Sequence, residues 1–170
     1  MEATARPGRV FEIAAAPDAP APLSPAAAAA ALTLVDADAP VWLPPGLRGG
    51  AVETFLRFHC AAAPAARPEA AAFALGAWPD LAEAAERLPR GDAAYPDRSA
   101  TLILTTDRLE TDAGPRLTGP GIEVERRLDP GLPAAFWALR AADPFPLGLD
   151  VLLCCGRRVA ALPRTTRAEV

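Results

Sequence analysis

The stretch that decides the fold is Arg116-Leu-Thr-Gly-Pro-Gly-Ile-Glu-Val-Glu-Arg-Arg-Leu128, which follows the apolar run Ala100-Thr-Leu-Ile-Leu-Thr-Thr106. Thr118-Gly-Pro-Gly121 predicts a turn, because glycine reaches positive φ without steric cost and proline fixes φ. Beyond it, Ile122 and Val124 alternate with charged residues, as in a strand with one covered face. We expect two strands to meet here as a hairpin. The alternative is a glycine loop whose amides hold a phosphate.

The composition is that of a globular protein, and we expect a single domain over residues 1–170. Hydrophobic residues make up 51% of the chain, the net charge is −4 and the pI is about 5.0. This acidity argues against nucleic-acid binding, which needs a basic surface to release counterions. The chain has neither an apolar run long enough to cross a bilayer nor the pattern of a signal peptide. We therefore expect a cytoplasmic protein with no nucleic-acid or membrane partner.

All 17 basic residues are arginines. The absence of lysine excludes a pyridoxal phosphate Schiff base and a Walker-type phosphate loop, because both need a lysine amine. The three cysteines, Cys60, Cys154 and Cys155, are odd in number and lack the spacing of metal ligands. We predict buried thiols, no metal site and no cofactor bound by this chain.

The order of the predicted elements indicates the α/β class. Strands are expected at 10–13, 41–43, 71–75, 149–155 and 159–162, and helices at 25–35, 51–63, 81–88 and 132–141. Ser24-Pro25 is predicted to cap and start the first helix, and the amphipathic face of the second is predicted to consist of Val52, Phe55, Leu56 and Phe58 or His59. Leu32 and Val35 are predicted to form the core face of the first of these helices, and Glu83 and Arg87 to pair on an exposed helix face. Helices alternate with strands in the first half and a hairpin-rich second half follows, which predicts a layered α/β domain with a mixed sheet.

Catalytic groups are scarce in this sequence. The only histidine, His59, would have to serve any Ser/His/Asp or Cys/His site, but in the C-terminal half of a helix it can also simply cap carbonyls. Glu123 and Glu125 fit a solvated strand face, whereas Asp92 and Asp97 in a polar loop are better placed for a site. We assign no catalytic residue.

Arginine is the functional group that this chain can use best, because its planar fork binds phosphate and carboxylate. The candidate anion or partner contacts are Arg98, Arg116, Thr118, Arg164, Thr165 and Thr166. For each arginine the alternative is an interface or a solvated surface. The polar tail around residues 164–167 could also be an extended arm held by a partner subunit.

Short motifs occur in order over almost the whole chain. They are Ala5-Arg-Pro-Gly8, Pro40-Val-Trp-Leu43, Leu56-Arg-Phe-His59, Tyr95-Pro-Asp-Arg-Ser99, Leu117-Thr-Gly-Pro-Gly-Ile122, Phe145-Pro-Leu-Gly148 and Leu162-Pro-Arg-Thr-Thr166. Together they resemble the PhnH family of the bacterial carbon–phosphorus lyase system. Because Met1 falls inside the family's N-terminal helical segment, we expect that helix to be shortened here.

The resemblance implies a three-layer α/β/α domain similar to the large domain of pyridoxal phosphate-dependent transferases, but lacking the cofactor lysine. It also implies a core complex of G, H, I and J subunits, the alpha-D-ribose 1-methylphosphonate 5-triphosphate synthase, with later radical chemistry on the J subunit. This chain would be a non-autonomous, structural or site-completing subunit, partnered by G, I and J and a homodimer when isolated. The alternative is a stand-alone binder or enzyme for a phosphorylated small molecule, acting through Arg98, Arg116 and Arg164.

Overall fold

The computed structural model describes residues 2–170. Within that range the helices are α1 (Glu2–Ala5), α2 (Pro25–Leu34), α3 (Ala51–Cys60), α4 (Trp78–Arg87) and α5 (Ala134–Ala142). The strands are β1 (Phe11–Glu12), β2 (Val41–Trp42), β3 (Phe73–Ala77), β4 (Thr101–Thr105), β5 (Glu110–Thr118), β6 (Arg126–Asp129), β7 (Asp150–Cys155), β8 (Arg158–Leu162) and β9 (Arg167–Glu169). No helix in the described range is long and apolar enough to span a bilayer.

Six strands form one mixed sheet in the order β1-β8-β7-β4-β3-β2. The four strands β2, β3, β4 and β7 run parallel, while β8 and β1 are antiparallel to their neighbours. The predicted strand at 149–155 is confirmed as β7 in the interior of this sheet. Its continuous apolar sequence suits a strand that is buried on both faces.

Helices cover both faces of the six-stranded sheet, because alternate strand residues point to opposite sides. In β4, Leu102 and Leu104 pack with residues of α4 and α5, whereas Ile103 packs with residues of α2 and α3. The prediction of a layered α/β domain with a mixed sheet is thereby confirmed.

Helix α2 starts as predicted but packs differently. The Ser24 hydroxyl accepts a hydrogen bond from the backbone N–H of Ala27 at 3.2 Å, and Pro25 occupies the first turn. The prediction that Leu32 faces the core is wrong, since it is 36% exposed; Val35 is buried as predicted. The face against the sheet consists of fully buried alanines, whose small side chains allow close approach: Ala26, Ala27, Ala28 and Ala31.

Two further side-chain predictions are corrected by the structure. In α3 Val52 and Leu56 are buried as predicted, but both Phe58, at 82% exposure, and His59 lie at the surface. In α4 Arg87 forms its ion pair with Glu69 at 3.5 Å, rather than with Glu83.

A second, antiparallel sheet has the strand order β6-β5-β9. The predicted hairpin is confirmed, because Leu117 pairs with Arg126 across it. The predicted alternating strand after the turn is wrong: residues 119–125 form the connecting loop, and Val124 there is 79% exposed. The polar tail forms β9, in which Ala168 pairs with Leu117, so this chain's own sheet holds the predicted arm.

Close backbone packing explains the glycines of the hairpin loop. Gly119 has φ +134°, and a Cβ there would lie 2.7 Å from the Thr165 carbonyl oxygen. Gly121 has φ +83°, and a Cβ there would lie 2.4 Å from the Ala5 carbonyl oxygen. The loop therefore packs against both the N-terminal helix and the C-terminal segment, at distances that only glycine allows.

The substitution Gly121→Ala is expected to lower the free energy of unfolding by about 2–4 kcal/mol, because it combines a strained φ with a steric clash against backbone. Urea denaturation of the purified protein measures this effect. The control is Gly46→Ala, where an added Cβ meets nothing within 4 Å. Equal stability of the two variants would contradict the packing argument.

Candidate functional site

A cleft of about 590 Å³ lies between α5, the loop after α5, the hairpin loop and the C-terminal segment. Its polar lining includes Thr118, Arg140, Asp143, Arg164, Thr166 and Arg167. The volume lies in the range of small-molecule binding sites.

Helix α5 is anchored by aromatic packing, and this fixes one wall of the cleft. The Phe136 ring makes edge-on contacts with Trp78 of α4 and with Trp137, at centroid distances of 5.1 and 5.0 Å. Arg140 follows Phe136 by four residues on the same helix and lines the cleft beside Trp137.

Arg140 binds carbonyl oxygens rather than carboxylates. Its guanidinium donates to the carbonyls of Leu149 at 3.1 Å, Pro163 at 2.9 Å and Thr166 at 3.5 Å. Desolvation lowers the pKa of Arg140 to about 10, and the nearby charges of Asp150 and Asp143 act in the opposite direction. Arg140 therefore ties the C-terminal segment to the start of β7 while keeping its positive charge within the cleft wall.

Arg164 forms a two-point contact with Asp150, the first residue of β7. Its Nη2 donates to Asp150 Oδ2 at 2.6 Å, and its backbone N–H donates to Asp150 Oδ1 at 2.8 Å. Arg164 Nη1 also donates to the carbonyl of Pro96. The charge of this predicted anion contact is thus already paired within the chain.

Asp143, the aspartate that lines the cleft, is paired with another arginine. Asp143 Oδ2 accepts from Arg90 Nε at 2.9 Å, and Arg90 Nη1 also donates to the carbonyls of Ala85 and Leu88. With both aspartates paired to other arginines, Arg140 and Arg167 have no hydrogen-bonded carboxylate among residues 2–170. The cleft therefore carries excess positive charge, although the whole chain has a net charge of −4.

Three threonines are among the residues that line the cleft: Thr118, Thr165 and Thr166. Thr166 is only 6% exposed. Its Oγ1 lacks a hydrogen-bond partner in the part of the chain that the structure describes. Such an atom is uncommon in a folded protein, since burying a polar group without a partner costs about 1–3 kcal/mol.

The structure brings together four of the six residues predicted as anion or partner contacts: Thr118, Arg164, Thr165 and Thr166. Arg98 and Arg116 are not among the cleft residues. The Arg98 guanidinium stacks over the Tyr95 ring at 3.9 Å. Arg116 bonds to Glu169 and, at 3.1 Å, to Glu125, and these hydrogen bonds raise its pKa.

Sequence reasoning missed Arg140 as a site residue. A usable signal existed, because Arg140 lies four residues after Phe136 in the predicted helix and so shares its inward face. Arg167 belongs to the polar tail at residues 164–167, where Arg164, Thr165 and Thr166 are predicted as contacts but Arg167 is not.

The other candidate groups lie outside the cleft. His59 is exposed on α3, where its ring lies 4.6 Å from that of Phe55 and 4.9 Å from that of Phe58. Burial raises the pKa of the Cys60 thiol and raises that of Cys154 to about 12. Asp92 Oδ1 accepts from the N–H groups of Ala94 and Tyr95 at 2.8 Å, so this carboxylate caps a turn.

The fold and the cleft define a class: a layered α/β protein with an arginine- and threonine-lined binding cleft. A family model described as "Bacterial phosphonate metabolism protein (PhnH)" matches residues 1–169, and the chain belongs to this family. The resemblance inferred from the ordered motifs is confirmed.

Two curated relatives support the same assignment. One is subunit PhnH of alpha-D-ribose 1-methylphosphonate 5-triphosphate synthase from Rhizobium meliloti (strain 1021), 37% identical over 172 residues that cover 99% of this chain and 86% of the relative. The other is the putative C-P lyase subunit protein HtxG of Stutzerimonas stutzeri, 39% identical over 105 residues that cover 60% of this chain and 53% of the relative.

The substitution Asp150→Asn is expected to lower the free energy of unfolding by about 1–3 kcal/mol, because it removes charge-assisted hydrogen bonds to Arg164. The control is Asp97→Asn, which alters an exposed carboxylate in the loop beside Arg164. Urea denaturation of both variants measures the difference. Indistinguishable midpoints would show that the Asp150–Arg164 contact does not stabilise the C-terminal segment.

Proposed function

We propose that this chain acts as a non-autonomous subunit of the carbon–phosphorus lyase core complex, the alpha-D-ribose 1-methylphosphonate 5-triphosphate synthase, in phosphonate metabolism. The observation that carries the proposal is the family match over residues 1–169, together with 37% identity over 99% of the chain to a relative named as the PhnH subunit. The role is structural or site-completing, and the bond-breaking chemistry belongs to the partners.

The placement of the reactive groups supports a role that depends on partners. His59 packs against the rings of Phe55 and Phe58 outside the cleft, and Asp143 and Asp150 are each paired with an arginine. Large apolar side chains at the surface include Phe58, Phe145 at 69% exposure and Val170 at 82% exposure. Exposed aromatic and aliphatic groups of this kind are typical of surfaces that contact other proteins.

The finer features are part of the same proposal. The partners are the G, I and J subunits, and the isolated chain forms a homodimer through surface that those partners cover in the complex. The compartment is the cytoplasm, consistent with cysteines that are all free thiols. We also propose, from the family resemblance alone, a relationship to the large domain of pyridoxal phosphate-dependent transferases, with no cofactor on this chain.

The alternative, a stand-alone arginine-dependent binder or enzyme, has less support from the side-chain contacts. It relied on Arg98, Arg116 and Arg164. Arg98 stacks on Tyr95, Arg116 bonds to two glutamates, and Arg164 bonds to Asp150. Each of these guanidiniums would have to give up an internal contact before it could bind a ligand.

Co-expression tests the proposed assembly. An affinity-tagged copy of this chain, expressed with untagged G, I and J subunits of a carbon–phosphorus lyase system from the same organism, is expected to retain all three through size-exclusion chromatography. The purified chain alone is expected to show no turnover of methylphosphonate with ATP. The matched control is the same co-expression with an untagged copy, which reports non-specific retention.

Two results would overturn this proposal. One is efficient turnover of methylphosphonate and ATP by the isolated chain. The other is elution of the tagged chain free of all three partners while G, I and J still assemble with one another.

A further inference from the structure

We propose that the cleft beside α5 binds the oxyanion group of a small organic phosphonate or phosphate, with Arg140 and Arg167 as its cationic contacts and Thr118 and Thr165 as hydroxyl donors. The guanidinium and hydroxyl groups of the cleft favour an oxyanion as the ligand. The choice of a phosphorus oxyanion over a carboxylate rests on the proposed function.

The charge arrangement supports anion binding. Asp143 and Asp150 are each neutralised by an arginine, Arg90 and Arg164, at 2.9 and 2.6 Å. Arg140 and Arg167 lack such a carboxylate within the described range. A desolvated guanidinium whose hydrogen bonds go only to carbonyls keeps its full charge in a medium that screens poorly, so an incoming anion is attracted strongly.

The two cations play different roles because their surroundings differ. Arg140 is fixed by three carbonyl acceptors, so it presents its charge in a preformed position. Arg167 is exposed in the edge strand β9, and its guanidinium is free to turn toward a ligand. A fixed cation combined with an adaptable one suits a doubly charged oxyanion, which offers acceptors in several directions.

Hydroxyl groups provide the uncharged part of the site. Thr118 lies at the end of β5 and Thr165 in the C-terminal segment, and both line the cleft. Thr118 of β5 pairs directly with Arg167 of β9. Residues that pair in this way lie side by side on the same face of a sheet, so the threonine and the arginine are neighbours. Hydroxyl donors next to guanidinium groups are a common arrangement for binding phosphate oxygens.

The rest of the cleft fits an apolar or planar ligand body. Phe145, Pro120 and Trp137 line it, and Phe145 is 69% exposed. A volume of about 590 Å³ exceeds what methylphosphonate needs and suits a molecule of nucleotide size. Phosphonate and nucleoside triphosphate probes therefore distinguish the two possible sources of the oxyanion.

Titration calorimetry of the isolated full-length chain tests the proposal. The probes are methylphosphonate, ATP and acetate, each at low ionic strength and again at high salt. Methylphosphonate or ATP is expected to bind, and the affinity is expected to fall as salt screens the charges. Acetate is expected to bind at least about tenfold more weakly, because it carries a single negative charge.

Single-residue variants test whether the probe binds in this cleft. Arg167→Gln is expected to weaken the affinity for the probe by about tenfold or more without changing the melting temperature, because the side chain is exposed and forms no ion pair within residues 2–170. The matched control is Arg57→Gln, which removes an exposed arginine of α3 outside the cleft and is expected to leave binding unchanged. Arg140→Gln should also abolish binding, but it removes bonds to three carbonyls, so Arg167→Gln is the decisive variant.

Three results would overturn the proposal: no heat from either phosphorus probe at millimolar concentration, equal affinity in Arg167→Gln and the unmodified protein, or acetate binding as tightly as methylphosphonate. Each leaves the co-purification result unaffected, so failure of the cleft proposal is distinguishable from failure of the proposed assembly.

Discussion

The carboxylate of Asp150 determines where the C-terminal part of the chain lies. Asp150 begins β7, in the interior of the main sheet, and its oxygens accept from both the backbone and the side chain of Arg164. Arg164 in turn reaches the carbonyl of Pro96 in the polar loop before β4. The segment that leaves this contact becomes β9 and completes the second sheet. One ion pair thus links the two sheets through the segment that walls the cleft.

The absence of lysine has a structural consequence as well as a chemical one. A guanidinium carries five N–H donors in a fixed plane and can join several acceptors from distant parts of the chain. Arg140 joins carbonyls of Leu149, Pro163 and Thr166, and Arg90 joins Asp143 to two carbonyls at the end of α4. A lysine could not reproduce these fork geometries with one nitrogen. Arginines therefore hold the walls of the cleft together. Some of them, such as Arg90 and Arg164, use their hydrogen bonds for this structural role.

Local signals in the sequence predicted most elements, and contacts between distant segments account for the errors. The Ser24-Pro25 cap fixes the start of α2, and the apolar run at 149–155 forms β7. Both signals lie within a few consecutive residues, so the sequence predicts these two elements correctly. Helix α2 has alanine on every side, so no periodicity showed which face is buried. The polar strand β9 lacks a hydrophobic pattern, and it forms only because β5 lies beside it; Arg116 and Glu169 are 53 residues apart. Thr118 and residues 164–166 were identified because they flank turn motifs, whereas the carbonyl partners of Arg140 could not be inferred from any local pattern.

A half-buried, desolvated arginine without a bonded carboxylate, such as Arg140, is costly for a domain that needs only to fold. Desolvation depresses its pKa, and replacing such a group by a well-packed apolar side chain is often neutral or stabilising. Three carbonyl hydrogen bonds offset part of that cost but do not neutralise the charge. The unpartnered Thr166 hydroxyl adds a second unfavourable feature to the same wall. Two unfavourable polar features in one cleft are difficult to explain by folding alone. Sites that bind ligands regularly retain unfavourable features of this kind. For Arg140, a bound anion would supply the negative charge that no hydrogen-bonded carboxylate provides.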